Sequence, residues 1–272
     1  MPELPEVETI RQYVEQHSAG KTIEAVRLLL PRLVKNASPE TFIRTLTGVT
    51  IENVSRKGKY LFLHVSGNTG LLIHLRMTGS LLYQEQYEPV RGEQIIFSLN
   101  EGCLIYRDIR TLGCLWLVPA QGATGISGYD TLGPDGNSPA FTEAYLRDAL
   151  AKTKRSVKTF LLDQTRVAGL GNIYTDEALF HAHILPQRPC YQISPAECHQ
   201  LYEAIGMVLN QGLRHGGTTI RNFINGSGKE GENQKFLCVY GREGLPCRTC
   251  GTVIAYTKLG GRGTHYCPHC QK

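Results

Sequence analysis

The chain predicts an α+β protein, with an N-terminal β-sandwich led by a single helix and a C-terminal helical domain carrying a short cysteine-bearing hairpin. Three observations predict it. Short apolar runs bounded by Gly, Asn and Pro fill residues 22 to 118, the apolar period turns helical after residue 140, and the last 26 residues contain Cys247-x2-Cys250-x16-Cys267-x2-Cys270.

The leading helix is read from Val7, Ile10, Tyr13, Val14 and His17, which recur at helical spacing behind Pro5 and Glu6. Strands are expected at 22–29, 50–55, 60–65, 71–75, 94–99, 104–106 and 114–118, giving a catalytic-sized domain over 1–118. Residues 119–139 hold five glycines and three prolines and no Lys or Arg, so they read as a linker. Helices follow at 142–151, 156–163, 173–183 and 195–215 within a domain spanning 140–235. Its last part, 216–235, is a polar, Gly-rich stretch that reads as a functional loop. Residues 236–272 form the hairpin. Its two thiolate pairs suit opposite sides of a tetrahedral ion, so Cys247, Cys250, Cys267 and Cys270 are expected to hold one structural Zn²⁺ with no open position. The turn Gly260-Gly261 would project Arg262 from the tip.

Charge is uneven along the chain. The net of +5 hides a first half, residues 1–150, with 14 basic and 16 acidic side chains, so the excess lies in residues 151–272. That distribution suits a grip on nucleic acid from one side, although solvated surface charge produces the same imbalance. Five of the nine cysteines, Cys103, Cys114, Cys190, Cys198 and Cys238, fall outside the zinc pattern and read as reduced and mostly buried, which fits a reducing compartment. No apolar run reaches membrane-spanning length, and the acidic start is the opposite of a signal peptide.

Met1-Pro2-Glu3-Leu4-Pro5-Glu6 carries the chemistry. Met before a small residue is normally clipped, which would leave Pro2 with a secondary amine that titrates near roughly pH 7.7 to 8.0. Such an amine attacks an aldehyde-like carbon to give an iminium, an electron sink, and Glu3 and Glu6 stand beside it to handle protons. Pro and acids also simply suit a helix start, so the motif alone leaves both readings open. Gly169-Leu170-Gly171-Asn172 before a helix offers backbone and side-chain donors to an anion, and Asn172 equally serves as an ordinary cap. Basic groups fall where strands end: Arg56, Lys57, Lys59, His74, Arg107 and Arg110. Met77, in the turn after His74, is core filler unless its apolar chain occupies the place of a displaced base.

The start, Lys-Gly-Lys-Tyr at 57–60, His-Leu-Arg-Met-Thr-Gly at 74–79, Gly-Leu-Gly-Asn-Ile-Tyr-Thr-Asp-Glu-Ala-Leu-Phe at 169–180 and Gly-Arg-Gly-Thr-His-Tyr-Cys-Pro-His-Cys at 261–270 together resemble the bacterial formamidopyrimidine-DNA glycosylases, in the family's order and over nearly the whole chain. The resemblance implies a β-sandwich, a helix-two-turn-helix domain and a zinc finger. It implies a monomeric, cytoplasmic, nucleoid-associated repair enzyme that removes 8-oxoguanine and formamidopyrimidines from double-stranded DNA and then cuts the abasic strand. By the same resemblance, Pro2 attacks the sugar, Glu3 protonates its ring oxygen, Glu6 shapes the site and Lys59 contacts phosphate and lesion. Met77 and Leu112 fill the gap left by the extruded nucleotide while Arg110 meets the orphaned cytosine. His74, Asn172 and Arg262 hold phosphates, and Thr218, Thr219, Arg221 and Tyr240 close over the base. Leu112 departs from the family, where Phe is common in the Asp-x-Arg-x-Phe-Gly turn, a change that bears on lesion scanning rather than excision. Two rivals are an endonuclease VIII-like glycosylase for oxidised pyrimidines, which Arg110 and the long loop disfavour, and a non-catalytic damaged-DNA-binding protein, which would not need Pro2, Glu3 or Lys59.

Overall fold

Glu3 and Glu6 start the chain's first helix. In the computed structural model, which describes residues 1–272, Glu3 is the N-cap of α1 (Leu4–Ser18) and forms a reciprocal capping box with Glu6. The apolar face of α1, Leu4, Val7, Ile10 and Val14, is fully buried. It packs on two four-stranded antiparallel sheets, which form the expected sandwich. One sheet has the order β1 (Ile23–Leu28), β6 (Glu93–Leu99), β7 (Cys103–Asp108), β5 (Gly79–Gln84), and the other β2 (Ile51–Lys57), β3 (Tyr60–Val65), β4 (Thr69–His74), β8 (Cys114–Pro119). Inward residues of both, among them Phe97, Leu104 and Leu81 from one and Leu61, Leu71 and Leu115 from the other, share a single apolar core with α1.

Two elements of this unit go beyond the sequence reading. The helix α2 (Pro39–Leu46) is capped by Ser38, whose hydroxyl accepts from the Thr41 N–H, and buries Phe42 and Leu46 against the core. The strand β5 opens on Gly79-Ser80, which reads as turn, although five of its six residues are buried. The expected linker is also more ordered than its composition suggests. The helix α3 (Ser127–Asp130) sets Tyr129 edge-on to Tyr60 at 5.5 Å, and the Asp130 carboxylate accepts from Thr124 and Gly125 at 2.8 to 3.0 Å. The aromatic ring covers the outer face of the second sheet, so the chain is held on it as far as residue 131.

Residues 215–232, which the sequence reading assigned to the helical domain, belong to the sandwich unit. They have the shape of an Ω-loop whose ends meet where the Glu232 N–H donates to the His215 carbonyl at 2.9 Å. Gly217 and Gly231 lie back to back there, and a Cβ on Gly231 would sit 2.2 Å from the Gly217 carbonyl oxygen. The loop covers the free edge of β5: the Tyr83 N–H donates to the Gly226 carbonyl at 3.0 Å and the Ser80 hydroxyl to the Ile224 carbonyl at 2.9 Å.

The second unit comprises residues 132–214 and 233–272. It contains α4 (Glu143–Ala151), α5 (Val157–Leu161), α6 (Asn172–His181), α7 (Pro195–Arg214) and the hairpin β9 (Ala255–Leu259) and β10 (Arg262–Tyr266). Between α5 and α6 the Gln164 side chain pins two successive turns, donating to the Leu162 and Leu170 carbonyls at 3.2 and 2.7 Å and accepting from the Gly169 N–H at 3.0 Å. A charged group then locks the hairpin to the helices. The Lys158 ammonium, wholly buried, donates to Asp176 at 2.6 Å and to the Gly263 carbonyl at 2.7 Å. The other Asp176 oxygen accepts from the His265 backbone N–H at 2.9 Å, with the imidazole Nδ1 at 3.1 Å.

Removing one partner of a buried ion pair leaves the other charge uncompensated. Replacing Lys158 with Met, of similar length, is expected to cost about 3 to 5 kcal/mol of unfolding free energy, measured by denaturant unfolding of the zinc-loaded protein.

Candidate active site and zinc centre

The first turn of α1 places Pro2, Glu3 and Glu6 together, all buried. Glu6 is held from two directions. Its Oε2 accepts from the Glu3 N–H at 2.8 Å, and its Oε1 accepts from the Thr218 N–H, at the base of the Ω-loop, at 2.7 Å. Thr218 and Thr219 face inward, the Thr219 hydroxyl donating to the Phe223 carbonyl and accepting from the Gly231 N–H, whereas Arg221 is exposed on the outside of the loop.

Lys59 arrives from the two-residue turn between β2 and β3, where Gly58 adopts a φ of 57°. That turn is anchored to α1 because the Arg56 guanidinium pairs with Glu8 at 2.9 Å and donates to the Gly58 carbonyl at 3.0 Å. The Lys59 side chain is 5 % exposed. Its charge reaches both the Met1 α-amino group and His74. Burial holds that α-amino group below its ordinary value. Glu3 and Glu6 oppose the shift, and Lys59 and Arg110 reinforce it.

His74, at the end of β4, is pushed down to about 3 by burial and by the charges of Arg76 and Lys59, so it is neutral at physiological pH. The Arg76 N–H donates to its Nδ1 at 3.0 Å. The ring proton therefore sits on Nε2, which makes the free nitrogen a hydrogen-bond donor.

Two turns project apolar side chains into solvent. Met77 is 41 % and Leu112 45 % exposed, two of several large apolar side chains that this chain leaves in solvent. Both turns are tied by one residue the sequence reading passed over, Asp108. Its carboxylate is fully buried, accepts from the Thr78 hydroxyl, and receives the Arg110, Leu112 and Gly113 N–H groups at 2.8 to 3.2 Å. Gly113 is required by packing, since a Cβ there would lie 1.6 Å from the Tyr106 hydroxyl. An Asp opening a turn that ends in Gly is the signal that would have found it.

In the second unit, the Asn172 side chain donates to the Gly263 carbonyl at 2.8 Å, the same oxygen that receives Lys158. The first residue of α6 is thereby bonded to the neighbour of Arg262, which stands exposed at the start of β10 after a Gly260-Gly261 turn with both φ values positive. Tyr240 was expected with the loop. It belongs instead to the second unit, its ring edge-on to His265 at 4.9 Å.

The four cysteines of the hairpin converge, with all sulfurs within 4.8 Å of one another. The Cys250–Cys267 and Cys247–Cys270 sulfur separations, 3.5 and 3.9 Å, bracket the value of about 3.8 Å that a tetrahedral ion with bonds of about 2.3 Å requires. Thr249 and Cys270 N–H groups point at the Cys247 and Cys267 sulfurs at 3.4 Å, which stabilises thiolates. Cys250 is pulled down to about 6, chiefly by Thr252, whereas burial raises Cys267 and Cys270, whose protons an ion would displace. No cysteine is in a disulfide, and the donor set fits one structural zinc.

Three family descriptions tile the chain: the formamidopyrimidine-DNA glycosylase N-terminal domain over residues 1–115, the formamidopyrimidine-DNA glycosylase H2TH domain over 132–224, and a zinc finger found in FPG and IleRS over 244–272. The chain belongs to the formamidopyrimidine-DNA glycosylase family. It is 44 % identical to the formamidopyrimidine-DNA glycosylase of Pelotomaculum thermopropionicum, covering 100 % of this chain and 99 % of that one. It is 43 % identical to the same-named protein of Geobacillus kaustophilus, covering both completely. Among solved structures it matches a Lactococcus lactis FPG mutant in complex with a Fapy-dG-containing DNA, with a TM-score of 0.91, 36 % identity and full coverage of both chains. The Lactococcus lactis Fpg in complex with an abasic-site-containing DNA gives a TM-score of 0.90, at 36 % identity and 99 % coverage of both.

Asp108→Asn turns an acceptor facing two N–H groups into a donor. It is expected to cost about 2 to 4 kcal/mol and to lower the melting temperature, whereas Thr78→Val, which deletes one donor, should cost about 1 kcal/mol; calorimetry of the zinc-loaded protein checks both.

Proposed function

We propose that this chain is a bifunctional base-excision repair enzyme that removes oxidised purines, 8-oxoguanine and formamidopyrimidines, from duplex DNA and then cleaves the abasic strand. The observation that carries the reading is the cluster at the chain's start, in which Pro2, Glu3, Glu6 and Lys59 are all buried and the charges of Glu3, Glu6 and Lys59 all act on the chain's terminus. A DNA-binding module would not need it. Family membership and the DNA-bound neighbours supply the substrate class.

With Met1 removed, the Pro2 nitrogen attacks the anomeric carbon of an extruded nucleotide and the base departs. Glu3 gives a proton to the ring oxygen, which opens the sugar to an iminium. The iminium acidifies the neighbouring carbon-bound protons, so successive β and δ eliminations expel both phosphates, with no metal-activated water needed. Lys59 and the His74 Nε2–H suit the flanking phosphates, as do Asn172 and Arg262 on the second unit. Arg110 meets the unpaired cytosine, and the solvent-facing Met77 and Leu112 fill the vacated stack. Thr218, Thr219 and Arg221 contact the extruded base from the Ω-loop. The structural zinc contributes only by holding the hairpin that carries Arg262. The working compartment is the bacterial cytoplasm, at the nucleoid through DNA.

Borohydride trapping on an 8-oxoguanine:cytosine duplex tests this reading. The processed enzyme is expected to give a covalent adduct on Pro2, while Pro2→Gly and a Met1-retaining form give none. Faster excision of thymine glycol than of 8-oxoguanine would instead assign the chain to the oxidised-pyrimidine enzymes. Once Met1 is gone, the buried Pro2 nitrogen takes the place of an amine that burial, Lys59 and Arg110 lower in the uncleaved chain, so trapping should rise with pH through a midpoint below roughly 8, the ordinary α-amino value. Lys59→Met, which removes a cation that disfavours the charged amine, should move that midpoint up.

A further inference from the structure

Glu177 is buried in α6 and its carboxylate gathers three backbone N–H groups, from Cys238 at 2.7 Å, Val239 at 2.9 Å and Tyr240 at 2.8 Å. These donors orient it, but no Lys or Arg is paired with it, and burial works against its charged form. One turn along the same helix face stands His181, and the segment that supplies the three N–H groups presents the thiol of Cys238. The Glu177 oxygen, a His181 ring nitrogen and the Cys238 sulfur all lie within 4.8 Å of one another.

We propose that Glu177, His181 and Cys238 form a second zinc site, separate from the four-cysteine centre, with three protein ligands and a water in the fourth position. The donor set points to zinc. A thiolate with an imidazole disfavours Mg²⁺ and Ca²⁺, and one carboxylate beside them is common in open, three-ligand zinc sites. A tetrahedral ion with bonds of about 2.0 to 2.3 Å needs donors about 3.3 to 3.8 Å apart, so the three atoms must close in by roughly 1.5 Å at most, within the reach of side-chain rotation. The Oε1 atom accepts from both Val239 and Tyr240, but Oε2 accepts only from Cys238, so its second acceptor position can bind the ion with all three backbone donors kept.

The protonation states agree. Burial lowers His181, with help from His183, leaving the neutral ligating imidazole. Burial raises the Cys238 thiol to about 11, so binding must replace its proton: the S–Zn bond forms as one H⁺ passes to solvent. His181 and Cys238 are both half-buried, which opens the fourth position to water. The ion would fasten α6 to residues 238–240 and provide the positive charge that the Glu177 carboxylate lacks.

The test uses the full chain with its four-cysteine centre loaded. After equilibration with micromolar excess ZnCl₂ and gel filtration, elemental analysis should find two zinc ions per chain in the wild type and one in Cys238→Ser and in His181→Gln. Co²⁺ added to the singly loaded wild type should produce a new thiolate-to-cobalt charge-transfer band and release a proton, both absent in Cys238→Ser. One zinc in every form with no new band overturns the site, as does a second ion that survives both substitutions.

Discussion

A carboxylate taken out of water has to be met by donors, and that constraint governs how this protein holds its working parts. Glu6 is the central case. With one oxygen on the Glu3 N–H and the other on the Thr218 N–H, it joins the helix start to the base of a loop more than 200 residues away in sequence. The two N–H groups it receives both lie outside regular structure, so the chain terminus is positioned by the same buried charge that holds the loop.

The same device recurs at Asp108, Asp176 and Glu177. Each buried carboxylate receives backbone N–H groups that no ladder satisfies, from the Arg110–Leu112 turn, from the outer edge of β10 at His265 and from the 238–240 turn. Sheets and helices satisfy their backbones internally, but these connections cannot, so acidic side chains stand in for the missing carbonyls. Only Asp176 has an ammonium within reach, in Lys158. The rigid scaffold thus carries precise turns without lengthening them.

Much of this was legible in the sequence, and the limits have physical reasons. Seven strands and the four long helices follow from apolar period, and the zinc centre from cysteine spacing, because those signals are local. The strand β5 escaped because it opens on Gly79-Ser80, which reads as turn, and α2 because eight residues give too few repeats to reveal a period. Pro2, Glu3, Glu6 and Lys59 were chosen for their chemistry and lie in one buried cluster. The organising roles of Asp108 and Lys158 were hidden, since an Asp in a turn or a Lys in a helix usually faces solvent and only the tertiary fold removes them from it. Composition also misassigned 215–232. Its Gly content marked it as a loop, but which unit it joins depends on Glu6 and on the edge of β5.

The position of that loop over β5 has a bearing on solubility. The outer strand of a four-stranded sheet carries a row of unsatisfied amides that another polypeptide can zip onto, and here the Gly226 carbonyl takes the Tyr83 N–H while the Ile224 carbonyl, on the Ser80 hydroxyl, holds the loop over that edge. The loop is thereby the guard of a sticky margin, so variants that loosen its hold on Glu6 should cling to one another at high concentration.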